Sequence, residues 1–391
     1  MGATKRAAAA IVAVVAVAVV AVGLVGAVPT AGATGSSRHD AYEQPIFGIS
    51  IDLSILGDYQ PLVGDFDGDG YDDVFWYGPG AKHDGMWLGS RRDGNPFRSV
   101  ATRSVAGTYR PIVGDFAGDR ADDIFWYGPG GIGDSLWVMG VGRTSPVAVL
   151  SYSVGHDYRP VVLPDRYAIG NKEAILWDQP GAATDRVWTF RPGKPVGQPP
   201  IGATIARGAP GTRPIIGSFG GDGYADVFWY RPGSVRESVT GRTSPTASQV
   251  TASKQVGGSY RPIVVSFEGA QPGIFFAATG PNQDSYAWLG GPDTKQPVVA
   301  FSRTFETGVP VRIHAGSPSG LGDAIVRQGS SPERAWTVDG RVPTDHPSGN
   351  DAPDAGQIAL PGNFGPAIAD DLLLYSPHGR GPDRLMTNQY N

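Results

Sequence analysis

The sequence predicts an all-β fold, and three of its features support this prediction. The chain has 391 residues, of which 57 are Gly and 34 are Pro, so these two residues that interrupt helices make up about 23% of it. Its apolar residues occur in short runs, and one segment recurs along the chain at steps of 48 to 54 residues. Many short strands joined by tight turns satisfy all three features, whereas long helices do not.

Residues 1–33 are predicted to be separate from the fold. Two basic residues precede an apolar run over residues 7–28, and Pro29 and an Ala-Gly-Ala sequence at residues 31–33 follow it. This order is typical of a secretion signal, so we expect a secreted, extracellular protein. The apolar run of 22 residues is also long enough to cross a bilayer, which leaves a retained anchor at the cell surface as the alternative.

The composition excludes several classes of site and partner. The chain has no Cys, which rules out disulfides, thiolate metal sites and cysteine nucleophiles, so any metal must be held by oxygen or His. The formal net charge is −5 and no run of Lys or Arg occurs, so we expect no nucleic-acid partner. After cleavage of the signal, a linker at residues 34–45 and a domain at residues 46–391 remain. We expect this domain to be a monomer with no membrane span.

The domain contains seven copies of one repeat. The segment YQPLVGDFDGDGYDDVFWYGPG at residues 59–80 returns at residues 109–130 as YRPIVGDFAGDRADDIFWYGPG. Five weaker or degenerate copies align at Pro160, Pro214, Pro262, Val311 and Ala359. A repeat of this length indicates one structural unit that stacks on its neighbours.

Each copy is predicted to form a four-stranded antiparallel sheet. The second copy holds four short apolar runs, at residues 111–114, 123–127, 135–139 and 147–153, separated by turns rich in Gly, Pro and Asp. In the sequence VFWY at residues 74–77, successive side chains face opposite sides of the sheet, yet all four are large and apolar. Both faces of the sheet are therefore buried, as they are when sheets stack around an axis. Seven sheets of about 49 residues match a seven-bladed β-propeller.

The two ends of the domain predict how the ring closes. Residues 46–55 look like a fourth strand without its first three, and the last copy ends after three strands, the third of them near residues 384–386. We predict that the N-terminal strand pairs with this third strand and completes the seventh blade, which removes an open sheet edge.

A predicted metal-binding loop lies between the first two strands of the first copy. Its sequence is DFDGDGYDD, and acids at alternate positions, followed by a Gly that permits a sharp turn and a further acid, would converge oxygen atoms on a cation of Ca²⁺ size. The predicted ligands are the side chains of Asp65, Asp67, Asp69 and Asp73 and the backbone carbonyl of Tyr71. The alternative is an acidic turn that binds no metal.

The pattern weakens in the other copies. The second copy keeps Asp115, Asp119 and Asp123 but has Ala117 at the third position and Arg120 in place of Gly, so both calcium binding and its absence stay open there. The fourth copy keeps only two acids, and we expect weak binding at most. These two are Asp222 and Asp226. In the remaining copies the pattern is degraded or lost.

The repeat resembles that of the FG-GAP/VCBS repeat propellers, the group that includes the head of the integrin α-subunit. The resemblance lies in the acidic loop and the strand that follows it, and in the first two copies a Gly-Pro-Gly turn comes next. The resemblance covers about residues 46–391 and is poor in the third and sixth copies. It implies a seven-bladed propeller with Ca²⁺ in loops between strands, used for adhesion or ligand binding in exported proteins.

Two recurring features are candidates for binding. The first is a Trp on the predicted third strand of five copies, which suits either sugar stacking or packing between blades. These residues are Trp87, Trp137, Trp188, Trp288 and Trp336. The second is a Tyr-Arg-Pro sequence that opens the first strand and is expected to ring one mouth of the central channel, opposite the calcium loops. Its candidate ligand-binding residues are Tyr109, Arg110, Tyr158, Arg159, Arg213, Tyr260 and Arg261.

The sequence therefore predicts a secreted calcium-binding propeller that acts as a non-catalytic module for binding carbohydrate or a cell-surface protein. It contains no metalloprotease, nucleophile-elbow or phosphate-loop motif. Two alternatives stay open: an extracellular enzyme that acts on polysaccharides at the channel mouth, and a structural envelope protein.

Overall fold

The computed structural model is all-β, which confirms the predicted fold class, and residues 41–391 form one compact unit. No helix among the described residues is long and apolar enough to cross a membrane. The predicted signal at residues 1–33 and the linker at residues 34–45 lie outside the described residues. The structure describes residues 47–80, 82–92, 94–164, 172–190, 200–233, 237–254, 256–266, 272–279, 284–288, 299–304, 309–317, 320–328, 334–339, 342–347, 356–366, 369–379 and 381–388.

The strands are short, as the repeat pattern predicts. The first half of the chain contains β1 (Phe47–Leu53), β2 (Gln60–Gly64), β3 (Asp73–Tyr77), β4 (Gly85–Leu88), β5 (Arg98–Val100), β6 (Arg110–Gly114), β7 (Asp123–Tyr127), β8 (Asp134–Val138), β9 (Ala148–Tyr152), β10 (Arg159–Leu163), β11 (Ala174–Asp178), β12 (Thr184–Thr189) and β13 (Ile201–Ala206). The second half contains β14 (Arg213–Gly217), β15 (Asp226–Tyr230), β16 (Glu237–Arg242), β17 (Ser248–Lys254), β18 (Tyr260–Val265), β19 (Gly273–Ala278), β20 (Asp284–Trp288), β21 (Val299–Thr304), β22 (Val309–Ser317), β23 (Gly320–Gln328), β24 (Arg334–Asp339), β25 (Val342–Pro347), β26 (Ile358–Gly362), β27 (Asp371–Tyr375) and β28 (Asp383–Asn388), with a 3-10 turn at Pro377–Gly379.

Within the described residues these strands form seven four-stranded antiparallel sheets. Sheets one to six each take four consecutive strands, beginning with β2, β6, β10, β14, β18 and β22, and sheet seven combines β26, β27 and β28 with β1. Consecutive strands can pair in this way because short turns rich in Gly and Pro join them. The predicted organisation in repeated four-stranded sheets is confirmed.

The second strand of a sheet is buried on both faces, as the sequence predicts. All residues of β3, β7, β11, β15, β19 and β27 are buried. Their aromatic side chains contact the second strands of neighbouring sheets: Phe75 lies 5.7 Å from Trp126 between ring centroids, and Phe125 lies 5.6 Å from Trp177. Face-to-face packing of sheets therefore forms the hydrophobic core.

The first strands of the sheets contact one another in succession. Strand β2 contacts β6, and the contacts continue through β10, β14, β18 and β22 to β26, which in turn contacts β2. Sheet seven also packs on sheet one, because the ring centroids of Trp76 and Tyr375 lie 5.2 Å apart. Residues from the two ends of the domain are thus neighbours in space.

Strand β1 pairs antiparallel with β28, and Ile51 lies opposite Leu385 in the register. Beyond the strand, the Ile55 amide donates a hydrogen bond of 2.8 Å to Asp383 Oδ2. The N-terminal strand is thereby held by backbone pairing and by a side chain of the last strand.

A tyrosine hydroxyl ties each of several sheets to the next. Tyr127 ends β7, and its hydroxyl donates to the His156 carbonyl and accepts from the Tyr158 amide at 2.9 Å. Tyr77, Tyr230 and Tyr375 make the same pair of contacts. These hydroxyls satisfy the backbone at the points where the chain passes between sheets.

A carboxylate at the start of the third strand also accepts hydrogen bonds from backbone amides outside the strand. Asp134 is 4% exposed and accepts hydrogen bonds from the amides of Gly128, in the preceding turn, and Val154, in the connection to the next sheet. Asp84 and Asp383 accept equivalent pairs. These three acids therefore have a structural role in their sheets.

Deletion of residues 47–53 should expose the edge of β28, because sheet seven would keep only three strands. We expect a lower melting temperature and self-association, measured by thermal unfolding and size-exclusion chromatography. The control is Asp52→Ala, which removes only an exposed ion pair of 3.7 Å to Arg384 and should change the free energy of unfolding by less than about 0.5 kcal/mol. A truncated protein that stays monomeric with an unchanged melting temperature would contradict the importance of this strand.

Candidate metal centre

The predicted metal loop joins β2 to β3, and its backbone turns sharply at two glycines. Gly68 and Gly70 have φ values of 69° and 94°, which only Gly adopts without strain. The turn brings the side chains of Asp65, Asp67 and Asp73 together, with one carboxylate oxygen of each within 4.8 Å of the others. Among the residues that the structure describes, this is the acidic cluster with the geometry to hold a metal ion.

The fourth predicted side-chain ligand, Asp69, lies outside this cluster. It is exposed, and its Oδ1 accepts a hydrogen bond of 2.9 Å from the Tyr71 amide. Its own amide donates to Asp65 Oδ1 at 3.0 Å. The loop thus folds around the Asp65 carboxylate, and three of the four predicted side chains converge.

Burial makes this cluster costly when it is ionised. Desolvation raises the pKa of Asp73 to about 8, and the charges of Asp67 and Asp65 add to the rise. Desolvation also raises the pKa of Asp65 to about 6. A divalent cation bound between the three carboxylates would offset both desolvation and mutual repulsion, so the donor set fits a hard cation such as Ca²⁺.

Asp73 also has a structural role that the sequence analysis did not identify. Its Oδ2 accepts from the Phe66 amide at 2.9 Å, and its Oδ1 accepts from the Gly89 amide at the end of the third strand, also at 2.9 Å. Asp123, Asp226 and Asp371 occupy the same position and also accept from an amide at the end of the third strand. The persistence of this Asp in copies that have lost the other acids was the available signal for that role.

The preceding acid links neighbouring sheets at the same end. The Asp122 amide donates to the Asp65 carbonyl at 2.7 Å, and Asp122 Oδ2 accepts from the Asp65 amide at 3.0 Å. Asp72 and Asn363 make the same reciprocal pair between sheets one and seven. A side chain at Gly64 would have its Cβ 2.7 Å from Asp122 Oδ2, which explains the Gly at the end of β2. The metal loop is therefore anchored to the neighbouring sheet.

The second and fourth loops keep the fold of the turn with fewer acids. Asp115 accepts from the Arg120 amide at 3.0 Å, while Asp119 is exposed and accepts from the Ala121 amide. In the fourth loop Asp222 is exposed, and Asp226 Oδ2 accepts from the Gly220 amide at 2.7 Å. Neither loop belongs to a converging cluster of three acids within the described part of the chain.

The Tyr and Arg residues at the start of the first strands behave differently from each other. The Tyr rings pack inward; Tyr158 is 7% exposed and lies 5.8 Å from Trp177 between ring centroids. Tyr109 and Tyr260 pack in the same way on Trp126 and Phe276. The Arg side chains are exposed, and these are Arg110, Arg159, Arg213 and Arg261. Of this predicted set, the arginines are accessible to a partner.

The guanidinium groups of two of these arginines contact residues at or just before the start of the first strand of the next sheet. The Arg110 guanidinium pairs with Asp157 and donates to the Tyr158 carbonyl at 2.7 Å. Arg213 donates to the Tyr260 carbonyl at 3.1 Å. Because a guanidinium has five N–H donors, these contacts orient each group and leave donors for a partner.

Where their side chains are described, the repeated Trp residues pack on a Trp of the second strand of the same sheet. Trp137 is 4% exposed and lies 5.3 Å from Trp126, and Trp188 lies 5.0 Å from Trp177, both between ring centroids. Trp87 packs on Trp76 in the same way. The side chains of Trp288 and Trp336 lie outside the described residues.

Residues 58–94 match the family model of the FG-GAP repeat. This segment contains the metal loop and β2 to β4, so the predicted resemblance to FG-GAP repeats is confirmed there. None of the curated proteins matches the sequence.

Two solved structures share the fold of the chain at low sequence identity. The crystal structure of BBS1N in complex with ARL6DN has a TM-score of 0.52 and 9% identity, covering 90% of this chain and 99% of that one. A lectin of Agrocybe aegerita that recognises non-reducing terminal N-acetylglucosamine has a TM-score of 0.51 and 14% identity, covering 74% of this chain and 80% of the lectin. At these identities the likeness shows the fold alone.

In the presence of a chelator, the free energy of unfolding should fall as the pH rises from 5 to 8. Five partly or fully buried carboxylates have a folded-state pKa of about 6 to 8 against 3.8 for the ordinary group, and these are Asp65, Asp73, Asp122, Asp185 and Asp371. A raised folded pKa contributes stability below pH 3.8 that is lost as the pH rises through the folded value. Chemical unfolding in EDTA at several pH values measures the loss, and stability that rises across this range would contradict it.

Proposed function

We propose that the chain is a secreted, seven-bladed β-propeller, closed by β1, which binds Ca²⁺ in the loop of sheet one and acts as a non-catalytic binding module. The observation that supports calcium most directly is the convergence of Asp65, Asp67 and Asp73 in a loop that matches the FG-GAP repeat. The circuit of contacts among first strands and the pairing of β1 with β28 support the closed ring.

Asp65, Asp67 and Asp73 would hold the cation, with Asp69 and the Tyr71 carbonyl completing its shell from the exposed side of the loop. The cation would supply positive charge to a site whose carboxylates are otherwise costly to ionise. Asp73 already holds β3 to the end of the third strand, through the Gly89 amide. Calcium would therefore stabilise the junction of three strands within sheet one.

The opposite end of the sheets is the proposed binding surface. The exposed arginines Arg110, Arg159, Arg213 and Arg261 stand at the starts of consecutive inner strands, about 13 Å from the end where the metal loops begin. Asp157, which pairs with Arg110, is an exposed acid at this end. In a chain of net charge −5 this concentration of positive charge favours an acidic partner, on a carbohydrate or a surface protein.

The two neighbouring structures agree with such a role. One neighbour is bound to a protein, ARL6DN, and the other recognises a sugar, so this architecture supports both kinds of binding surface in other proteins. Saturable binding without turnover supports the module. Turnover of a polysaccharide would indicate an enzyme instead. The absence of both binding and turnover would favour a structural protein.

Calcium should raise the melting temperature of the wild-type protein by a few degrees. Extracellular oxygen sites commonly have dissociation constants of about 0.1 to 1 mM. At about 2 mM Ca²⁺ one such site adds about 0.6 to 1.8 kcal/mol to the free energy of unfolding. Thermal unfolding with Ca²⁺ and with EDTA measures this response, and Asp67→Ala should remove most of it.

The matched control for this response is Asp222→Ala, which removes an exposed acid from the corresponding turn of sheet four. It should leave the calcium response unchanged, because Asp222 belongs to no converging cluster in the described residues. A wild-type melting temperature that ignores both calcium and chelator would refute the metal assignment in the first loop.

The arginine surface is tested by removing its charge. Arg110, Arg159 and Arg261 replaced together by Ala should abolish binding to an array of acidic and neutral glycans and surface-protein extracts, while the melting temperature stays within a few degrees, since exposed charges contribute little to stability. The control replaces three exposed arginines at the calcium-loop end, Arg91, Arg92 and Arg143, with the same change in net charge. Binding that survives the first set of changes, or is lost equally in the control, would place the surface elsewhere.

A further inference from the structure

A buried lysine lies beside the second loop, and the first loop has no counterpart. Lys172 precedes β11 of sheet three and is 6% exposed. The next residue, Glu173, donates its amide to the Asp115 carbonyl at 2.9 Å. This backbone contact places Lys172 beside the loop of sheet two.

The first loop shows what normally occupies that position. There the Asp122 amide donates to the Asp65 carbonyl, and the residue before Asp122 is Ala121, which is fully buried. The two contacts are equivalent, so Lys172 is related to the second loop as Ala121 is to the first. A residue with an apolar side chain lies beside the first loop, and a residue with a basic side chain lies beside the second.

The acids of the second loop act on the charge of Lys172. Burial lowers the pKa of Lys172, while Asp115, Asp123 and Asp119 act in the opposite direction. A buried ammonium group requires such opposite charge, because its desolvation is otherwise unfavourable by several kcal/mol. The carboxylates of the second loop, in turn, gain a cation that belongs to the protein.

We propose that Lys172 is the resident cation of the second loop and excludes calcium from it, so that the first loop is the calcium site of the pair. The inference rests on the proposed calcium site of the first loop and decides which of two similar loops takes the metal.

The fourth loop shows a related arrangement with a different side chain. Arg242 is 1% exposed, and its guanidinium donates to the Ala225 carbonyl at 3.4 Å and lies 5.9 Å from the ring centroid of Tyr224. Both of those residues belong to the turn of sheet four. A buried basic side chain thus accompanies each of these two loops, in which the number of acids has fallen.

The test exchanges the cations between the first two loops and counts bound calcium by isothermal titration or equilibrium dialysis. The wild type should bind about one Ca²⁺ in the first two loops at dissociation constants below about 1 mM. The variant Lys172→Met with Ala117→Asp restores the fourth acid and removes the ammonium, and it should bind one Ca²⁺ more. Ala121→Lys should lose the calcium of the first loop, whereas Ala121→Met, of similar bulk and no charge, should keep it.

A second measurement needs no metal. In EDTA, Lys172→Met should lower the melting temperature because three carboxylates lose their cation, and Lys172→Arg should restore most of it. If Ala121→Lys does not fold, the Lys172→Met and Ala117→Asp variant decides the result. The inference would be overturned if this double variant folds but binds no more calcium than the wild type. It would also be overturned if Asp115→Ala loses a calcium ion that the wild type binds.

These outcomes separate the inference from the proposed function. A wild type without calcium whose Lys172→Met and Ala117→Asp variant gains one would overturn the first-loop site, and it would support the role of Lys172 only where Ala117→Asp alone gains none. In the opposite case, the wild type and the Lys172→Met and Ala117→Asp variant each bind one calcium ion, and Asp67→Ala removes it from both. That result would support the first-loop site and overturn the role of Lys172.

Discussion

The burial of both faces of the second strand is the constraint on which the rest of the structure depends. A strand such as β3, in which every residue is buried, cannot lie at the surface of a two-layer fold, so a neighbouring sheet must cover each side. Sheets one, two and three meet through rings such as Phe75, Trp126 and Trp177. Stacking of this kind brings the first strands of neighbouring sheets into contact.

Close stacking creates a second requirement, because the backbone that passes between sheets is partly removed from water and still needs hydrogen-bond partners. The chain meets it with repeated side chains. Tyrosine hydroxyls such as Tyr127 act at the end where first strands begin, and carboxylates such as Asp122 act at the other. Desolvation raises the pKa values of these acids, and that of Asp122 to about 7, although the backbone hydrogen bonds act in the opposite direction.

This arrangement explains how a metal site can be gained or lost without loss of the fold. Asp73 and its counterpart Asp226 hold the same junction by accepting amides from the loop and from the third strand. The structural acid stays while the other acids of the loop vary. The proposed calcium of the first loop and the buried Lys172 and Arg242 beside two other loops would be alternative sources of positive charge at the same turn.

The sequence by itself determined the all-β class, the repeated four-stranded sheets, the buried second strands and the acidic loop, because each depends on residues close together in the chain. Only the tertiary structure decided that the Tyr rings pack while the arginines stay exposed, that Asp69 lies outside the acidic cluster, and that Lys172 lies beside the second loop. These features join residues on neighbouring sheets or depend on where a side chain turns, and neither spacing nor composition encodes such contacts.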